Sequence, residues 1–186
     1  MTYDFGDGKG AVPAHQHING GGWVADSASV TNSSFVDENA LVYGNANVSG
    51  NAHVSGNARV YGEALVCGNA QVYGNSRVYG EVLVYGNANV SGNAQVFGNA
   101  RVYDNAWVRG YAQVFGDARV YGDANVWDAH VYEKAQVYEN AYVFGNARVS
   151  GNAQVFGKAH VSWNAHVSGN ANVSGNAHVS GADQRR

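Results

Sequence analysis

Valine returns at every sixth position from Val24 to Val126. One residue is then missing in Val126-Trp127-Asp128-Ala129-His130-Val131, and the same step continues through Val137 to Val179. Between the valines the chain repeats V-x-G-N-A-x. In one unit, Ala46-Asn47-Val48-Ser49-Gly50-Asn51, Ala46 and Val48 alternate with Asn47 and Ser49. A strand of period two sends the first pair to one side and the second pair to the other. The inward pair is nearly always Ala and Val, and the variation falls at the two outward positions. Gly50-Asn51 then turns the chain, since both residue types accept the positive φ of a sharp corner. Strands this short cannot bury their valines alone. The pattern therefore predicts coils stacked about 4.8 Å apart, each strand parallel to its copy in the next coil.

Outward residues taken three units apart fall into like columns. The residue after Val reads Tyr43, Tyr61, Tyr79, Phe97, Phe115 and Tyr132 on a first face, and Tyr85, Tyr103, Tyr121, Tyr138 and Phe156 on a second. The third is mixed, with Ser55, Tyr73, Ser91, Arg109, Trp127 and Phe144. The fold expected is all-β, a single-stranded parallel β-helix solenoid of triangular coils, with three hexapeptides to a coil. About nine coils make a stack about 40 Å long. The missing residue falls between Asp128 and Ala129, inside a corner, where it shortens a turn without sending the next valine outward.

The tandem V-x-G-N-A-x units from Val24 to Val179 resemble the bacterial hexapeptide-repeat proteins, whose best known members are acyltransferases. The resemblance implies a left-handed helix, although ordinary parallel crossovers are right-handed. It also raises the reading of an acyltransferase relative. One departure is plain: the family places a small or acidic residue after the aliphatic one, whereas this chain places Tyr, Phe or Ser there. The V-x-G-N-A-x wording is itself similar to that of bacterial and phage repeat proteins rather than of the enzymes.

Residues 1–22 break the pattern and are expected to cap the first coil, with Tyr3, Phe5, Val12 and Trp23 as plugs. Residues 23–181 make the helix, and 182–186 a charged tail that blunts the last edge. His15 and His17 beside Asp4 and Asp7 raise a metal site, but His-x-His without further ligands is a weak signal. The stretch GDGKG lacks the spacing of a phosphate loop, and no helix follows it to receive an anion.

Charge and composition narrow the function. The chain of 186 residues has a formal net charge of −3, against a nucleic-acid binder driven by a basic surface. No apolar run is long enough to span a membrane. The single cysteine, Cys67, allows no intrachain disulfide, and a cytoplasmic setting is expected. No corner between Val24 and Val179 gains a residue, no helix follows, and no Ser-His-acid set stands out. His160 and His178 share one column while His166 lies on another face, short of the three ligands of a catalytic zinc. No enzyme, no cofactor and no metal are expected.

The outward surface remains. Arg59 and Arg77 precede Val on the first aromatic face, and Arg101 and Arg119 on the second. Acids at the corners, Glu63, Glu81, Asp117 and Glu133 along one ridge and Asp104, Asp123 and Glu139 along another, lie within reach for local ion pairs. An exposed run of aromatics flanked by Arg has the composition of an interface. The expected role is a non-enzymatic rigid module binding through Tyr43, Tyr61, Tyr79, Phe97, Phe115 and Tyr132, through Tyr85, Tyr103, Tyr121 and Tyr138, and through the four arginines. A homo-oligomer of phage or prophage type that binds, and inhibits, a host protein fits this reading. A structural or glycan-binding phage appendage is the alternative.

Overall fold

The computed structural model describes residues 1–181, and the expected charged tail at 182–186 lies outside them. Three parallel sheets wind into a solenoid, each face contributing nine strands in order along the axis. Valine lies over valine throughout, as in Val78 beside Val96 and Val84 beside Val102. Partners such as Arg77 and Gln95 are eighteen residues apart, and Gln113 and His130 seventeen. The missing residue is absorbed at one corner, and Val114 still meets Val131. The nine triangular coils are those the period implies. No helix among the described residues is long and apolar enough to cross a membrane.

Alternation sets the core. From Val36 to Val161 the inward valines and alanines are fully buried and form one continuous column. Each such valine contributes about 1.5–3 kcal/mol by leaving water. Three inward positions depart from the Ala-Val pair: Val82 replaces an alanine, Ser34 is buried with its hydroxyl 2.9 Å from Thr31 Oγ1, and Ser76 is buried with its hydroxyl unpartnered.

The corners differ in detail from expectation. At a regular corner the Ala94 N–H donates to the Ser91 carbonyl at 3.3 Å across Gly92 and Asn93. Gly92 has φ 70° while Asn93 stays out of the left-handed region, a type II′ turn. Only Asn146 and Asn164, among the described corner asparagines, take positive φ. The others stack amide on amide along the axis. Asn69 donates to Asn87 at 3.0 Å, Asn87 to Asn105 at 3.1 Å, and Asn105 to Asp123 at 3.0 Å. Asparagine is therefore kept mainly for its side chain, which bonds the copy above it, while the bend falls on the preceding residue, usually Gly and at Asp104, Glu133 and Glu139 an acid.

The segment before the first coil also closes it differently. Strands β1 (Thr2–Asp4) and β2 (Ala11–Gln16) run antiparallel, and β2 pairs antiparallel with β3 (Trp23–Ala25), the first strand of the solenoid. Tyr3 stacks on Trp23 at 4.5 Å and Phe5 on Tyr43 at 4.9 Å. With Val12, these residues join a satellite cluster on the outside of the first face and do not plug the interior. The end of the interior is crossed instead by the glycine backbone. Gly22 N–H donates to the Val36 carbonyl at 2.9 Å, and a Cβ on Gly22 would fall 2.5 Å from a Val36 methyl. Bare backbone is thin enough to lie against the coil, where an aromatic ring is not.

The coil spacing leaves almost no room at the corners. A Cβ on Gly92 would sit 2.9 Å from the Gly110 nitrogen, whereas Gly169, with φ 67°, has nothing within 4 Å. Gly169→Ala should therefore cost only the left-handed penalty of about 1–2 kcal/mol. Gly92→Ala should cost clearly more, read as a larger drop in urea midpoint. Equal drops would show that coil spacing does not constrain the corner.

Candidate binding surface

The outward column after Val on the first face is a ladder of rings. Tyr43, Tyr61, Tyr79, Phe97, Phe115 and Tyr132 follow one another at centroid distances of 4.8–5.1 Å with interplanar angles of 3–5° or less. On the second face Tyr85, Tyr103, Tyr121, Tyr138 and Phe156 repeat this at 4.8–4.9 Å. An exposed patch was the expectation. The structure has the rings lying on one another, with Tyr43 buried and the rest half-buried. The reason is the coil rise, close to the thickness of two ring faces in contact, so each ring covers its neighbour. Hydroxyls of the second ladder are tied sideways, Tyr121 to Gln136 Oε1 at 3.2 Å and Tyr138 to Gln154 Oε1 at 3.0 Å.

Burial raises the phenol pKa of Tyr43, Tyr61, Tyr79, Tyr103, Tyr121 and Tyr138 above the ordinary value of 10.0, and at Tyr43 the Arg59 guanidinium partly offsets this. At Tyr61 and Tyr121 the neighbouring ladder tyrosines add to the rise.

The arginines lie beside these ladders, and the expected ion pairs do not form. Among the described residues the only pairs within 4.0 Å are Lys9 with Asp7 and His15 with Asp26. Arg77, Arg101 and Arg119 are exposed, and Arg59 is half-buried, reaching the Phe5 carbonyl at 3.5 Å. The corner acids turn to backbone and amides instead. Asp104 accepts from the Gly122 N–H at 3.3 Å and Glu139 from the Gly157 N–H at 2.9 Å. Asp117 accepts from Asn99 at 3.1 Å. Like stacks on like in this register, so Arg59 lies against Arg77 and Arg101 against Arg119. Arg101, Arg119 and Lys134 line an open groove of about 420 Å³ with Gln136, Gln154 and one carboxylate, Asp117, which is already bonded to Asn99.

Among the described histidines only His160 and His178 come together, their rings 4.7 Å apart. His15 bonds Asp26 at 2.8 Å, while His17, two positions along, is buried with Nε2 3.2 Å from the Thr31 carbonyl. Burial lowers the His17 pKa, with His15 adding to this. Among the described residues no three His, Cys, Asp or Glu side chains gather as a metal site.

The third face, read as mixed from the sequence and given no binding role there, carries exposed aromatics, of which the column after Val sampled only Trp127. Trp107, Tyr111, Trp127, Tyr142 and Trp163 are 38, 71, 50, 42 and 65 % exposed, unlike every ladder ring. The Arg109 guanidinium lies 5.9 Å from the Trp107 ring and 5.6 Å from that of Trp127, and its Nε donates to Asn125 at 3.1 Å. Tyr111 occupies a corner Asn position and Trp163 a corner Gly position, at φ 49°. Their signal in the sequence was each break of the repeat, which column reading on the residue after Val does not sample.

Four stretches of the chain, residues 52–68, 70–86, 94–110 and 112–126, match the family model described as YdcK Beta solenoid repeat. The chain is a β-solenoid repeat protein. No curated protein matches it. The matched stretches lie in the coils where the ladders and the arginine rows stand.

The sign of the tyrosine shifts gives an alkaline test. The folded state keeps these phenols protonated beyond their ordinary range, so the unfolded chain releases its protons first. Stability is full below about pH 10 and is lost as pH rises through the raised values. The phenolate absorbance of these six tyrosines, taken as the difference from a variant in which they are Phe, should rise together with the loss of strand circular dichroism in one cooperative step above pH 10. Ionisation near pH 10 with the strand signal intact would contradict the stacking account.

Proposed function

We propose that this solenoid is a rigid, non-enzymatic binding module whose Arg-and-aromatic faces dock protein, including further copies of itself. The observation that carries the reading is the pair of arginine rows. Arg59 beside Arg77 and Arg101 beside Arg119 sit in register, with no carboxylate of the described residues within ion-pair distance. Like charges directly opposite each other across strands cost stability. A surface that keeps them unneutralised, next to a groove also holding Lys134, suits an acidic partner face. The ladders hold that surface stiff, which lowers the ordering cost of association.

On this reading the half-buried rings of Tyr61, Tyr79, Tyr103 and Tyr121 supply edges to the interface while the arginines supply its charge. A cytoplasmic homo-oligomer of phage or prophage type, acting on a host protein, is the use that fits the repeat wording.

Light scattering on the wild type and on an Arg101→Ser/Arg119→Ser variant tests it, because these exposed side chains can change without touching the ladder. Expected is a wild-type assembly weakened by salt and by the double substitution, with unchanged strand circular dichroism. A wild type that stays monomeric at high concentration and low salt would remove self-association. A pull-down that loses the same partners with the variant would support a protein target.

A further inference from the structure

Three of the four tryptophans, Trp107, Trp127 and Trp163, stand on or beside the third face, with Tyr142 between them along the axis. We propose that this strip is a carbohydrate-binding platform, taking a neutral, extended oligosaccharide along the solenoid axis.

Open ring faces are the first argument. In the ladders every interior ring is covered on both sides by stacked neighbours, whereas no aromatic ring stacks on Trp107, Trp127 or Trp163 among the described residues. The Trp127 indole lies over Gly110, where a Cβ would fall 2.6 Å from its Cδ1, so one side of the ring is seated on backbone and the ring is half exposed. An indole fixed in this way is a flat apolar shelf. The C–H face of a pyranose is the complementary surface, and its equatorial hydroxyls need polar, uncharged neighbours.

The second argument is charge. From His53 to Ser180 the outward positions of this face hold Ser, Asn, Gln, His and aromatics, with Arg109 the one permanently charged side chain. That charge is held against two indoles and Asn125. A near-neutral face has no rows of charge to steer or register a second copy, and its Ser, Asn, Gln and His side chains can bond sugar hydroxyls. The observations thus favour a sugar over a second copy.

The third argument is strain. The corner after Trp127 has lost a residue, and Asp128 compensates at φ 54°, its Oδ1 accepting the Tyr111 N–H at 2.7 Å. In the Ser162–Ala165 corner, Trp163 and Asn164 are both left-handed, closed by an Ala165 N–H to Ser162 carbonyl bond of 3.1 Å. Among the described residues that replace the corner Gly at positive φ, Asp104, Glu133 and Glu139 are acidic and Trp163 alone is a bulky ring, at φ 49°. Strain kept at a surface turn is a mark of a binding role. The strip from Trp107 to Trp163 crosses four coils, about 14 Å, the reach of about three sugar rings in an extended chain.

Tryptophan fluorescence of the full chain, titrated with cellohexaose, chitohexaose and maltohexaose and backed by an array of neutral glycans, tests the proposal. At least one probe should give a saturable change, and Trp127→Ala should weaken it about tenfold, the loss expected for one stacking contact. Trp163→Gly should weaken it as well while raising the melting temperature by about 2–4 °C, since glycine relieves the left-handed strain. That combination separates a lost site from a lost fold. Arg101→Ser/Arg119→Ser leaves the strip intact and should bind glycan as wild type does, whatever its oligomeric state. No response to any neutral glycan, or binding that survives Trp107→Ala/Trp127→Ala, would overturn the proposal. So would a Trp127→Ala variant that changes only the oligomeric state, which would make the strip an interface between copies.

Discussion

Every feature of this molecule depends on one constraint, the fixed rise between parallel coils. Because Val78 lies beside Val96 and Arg77 beside Gln95, whatever occupies a position meets its own counterpart one coil away. Inside, this turns a residue as small as valine into a continuous apolar column. At the corners it forbids side chains on residues such as Gly92, whose α-carbon is held against the next backbone. Outside, it selects residues that gain from meeting their own kind. Aromatic rings stack, each pair worth about 0.5–1.5 kcal/mol beyond burial. Asparagine amides, which donate on one side and accept on the other, form chains from coil to coil.

Charged residues gain nothing from this arrangement, and the structure handles the two signs differently. Carboxylates can turn inward along the corner and accept an amide proton from backbone or from Asn, as Asp104, Glu139 and Asp117 do. A guanidinium has no acceptor and finds few free carbonyls on a fully paired sheet. The arginines are left facing water in like-charged rows. What the solenoid cannot satisfy internally is left at its surface.

The third face reads by the same logic in reverse. Its aromatics are mostly out of register: Trp107 pairs with Asn125 and Arg109 with Trp127, although Trp127 meets Phe144 one coil on. Denied a ring beneath them, the indoles stay open, and Arg109 fills the space between them. The shortened corner at Asp128 reverses the local hydrogen bonding, the Asn146 N–H donating back to the Asp128 carbonyl at 2.7 Å. A single deletion thus reshapes three successive corners while Val114 and Val131 stay paired.

The sequence by itself determined the coil. Period six with alternation inside it leaves one way to bury Val and Ala, and the columns Tyr61-Tyr79 and Arg59-Arg77 could be written down before any coordinate. It placed the missing residue in its corner, because a slip within a strand would have turned valines to water. Which way side chains lean, and what they touch, was decided only by the tertiary structure. Ring planes align along the axis, so the expected exposed ladders became internal stacks. Acids bend toward backbone, so the expected ion pairs are absent. The cap aromatics settle on the outside, and bare glycine crosses the coil end at Gly22. A repeat defines positions, but exposure depends on what the neighbouring coil places one rise away. That is why residues breaking the repeat, Tyr111, Trp127 and Trp163, carry the open surface.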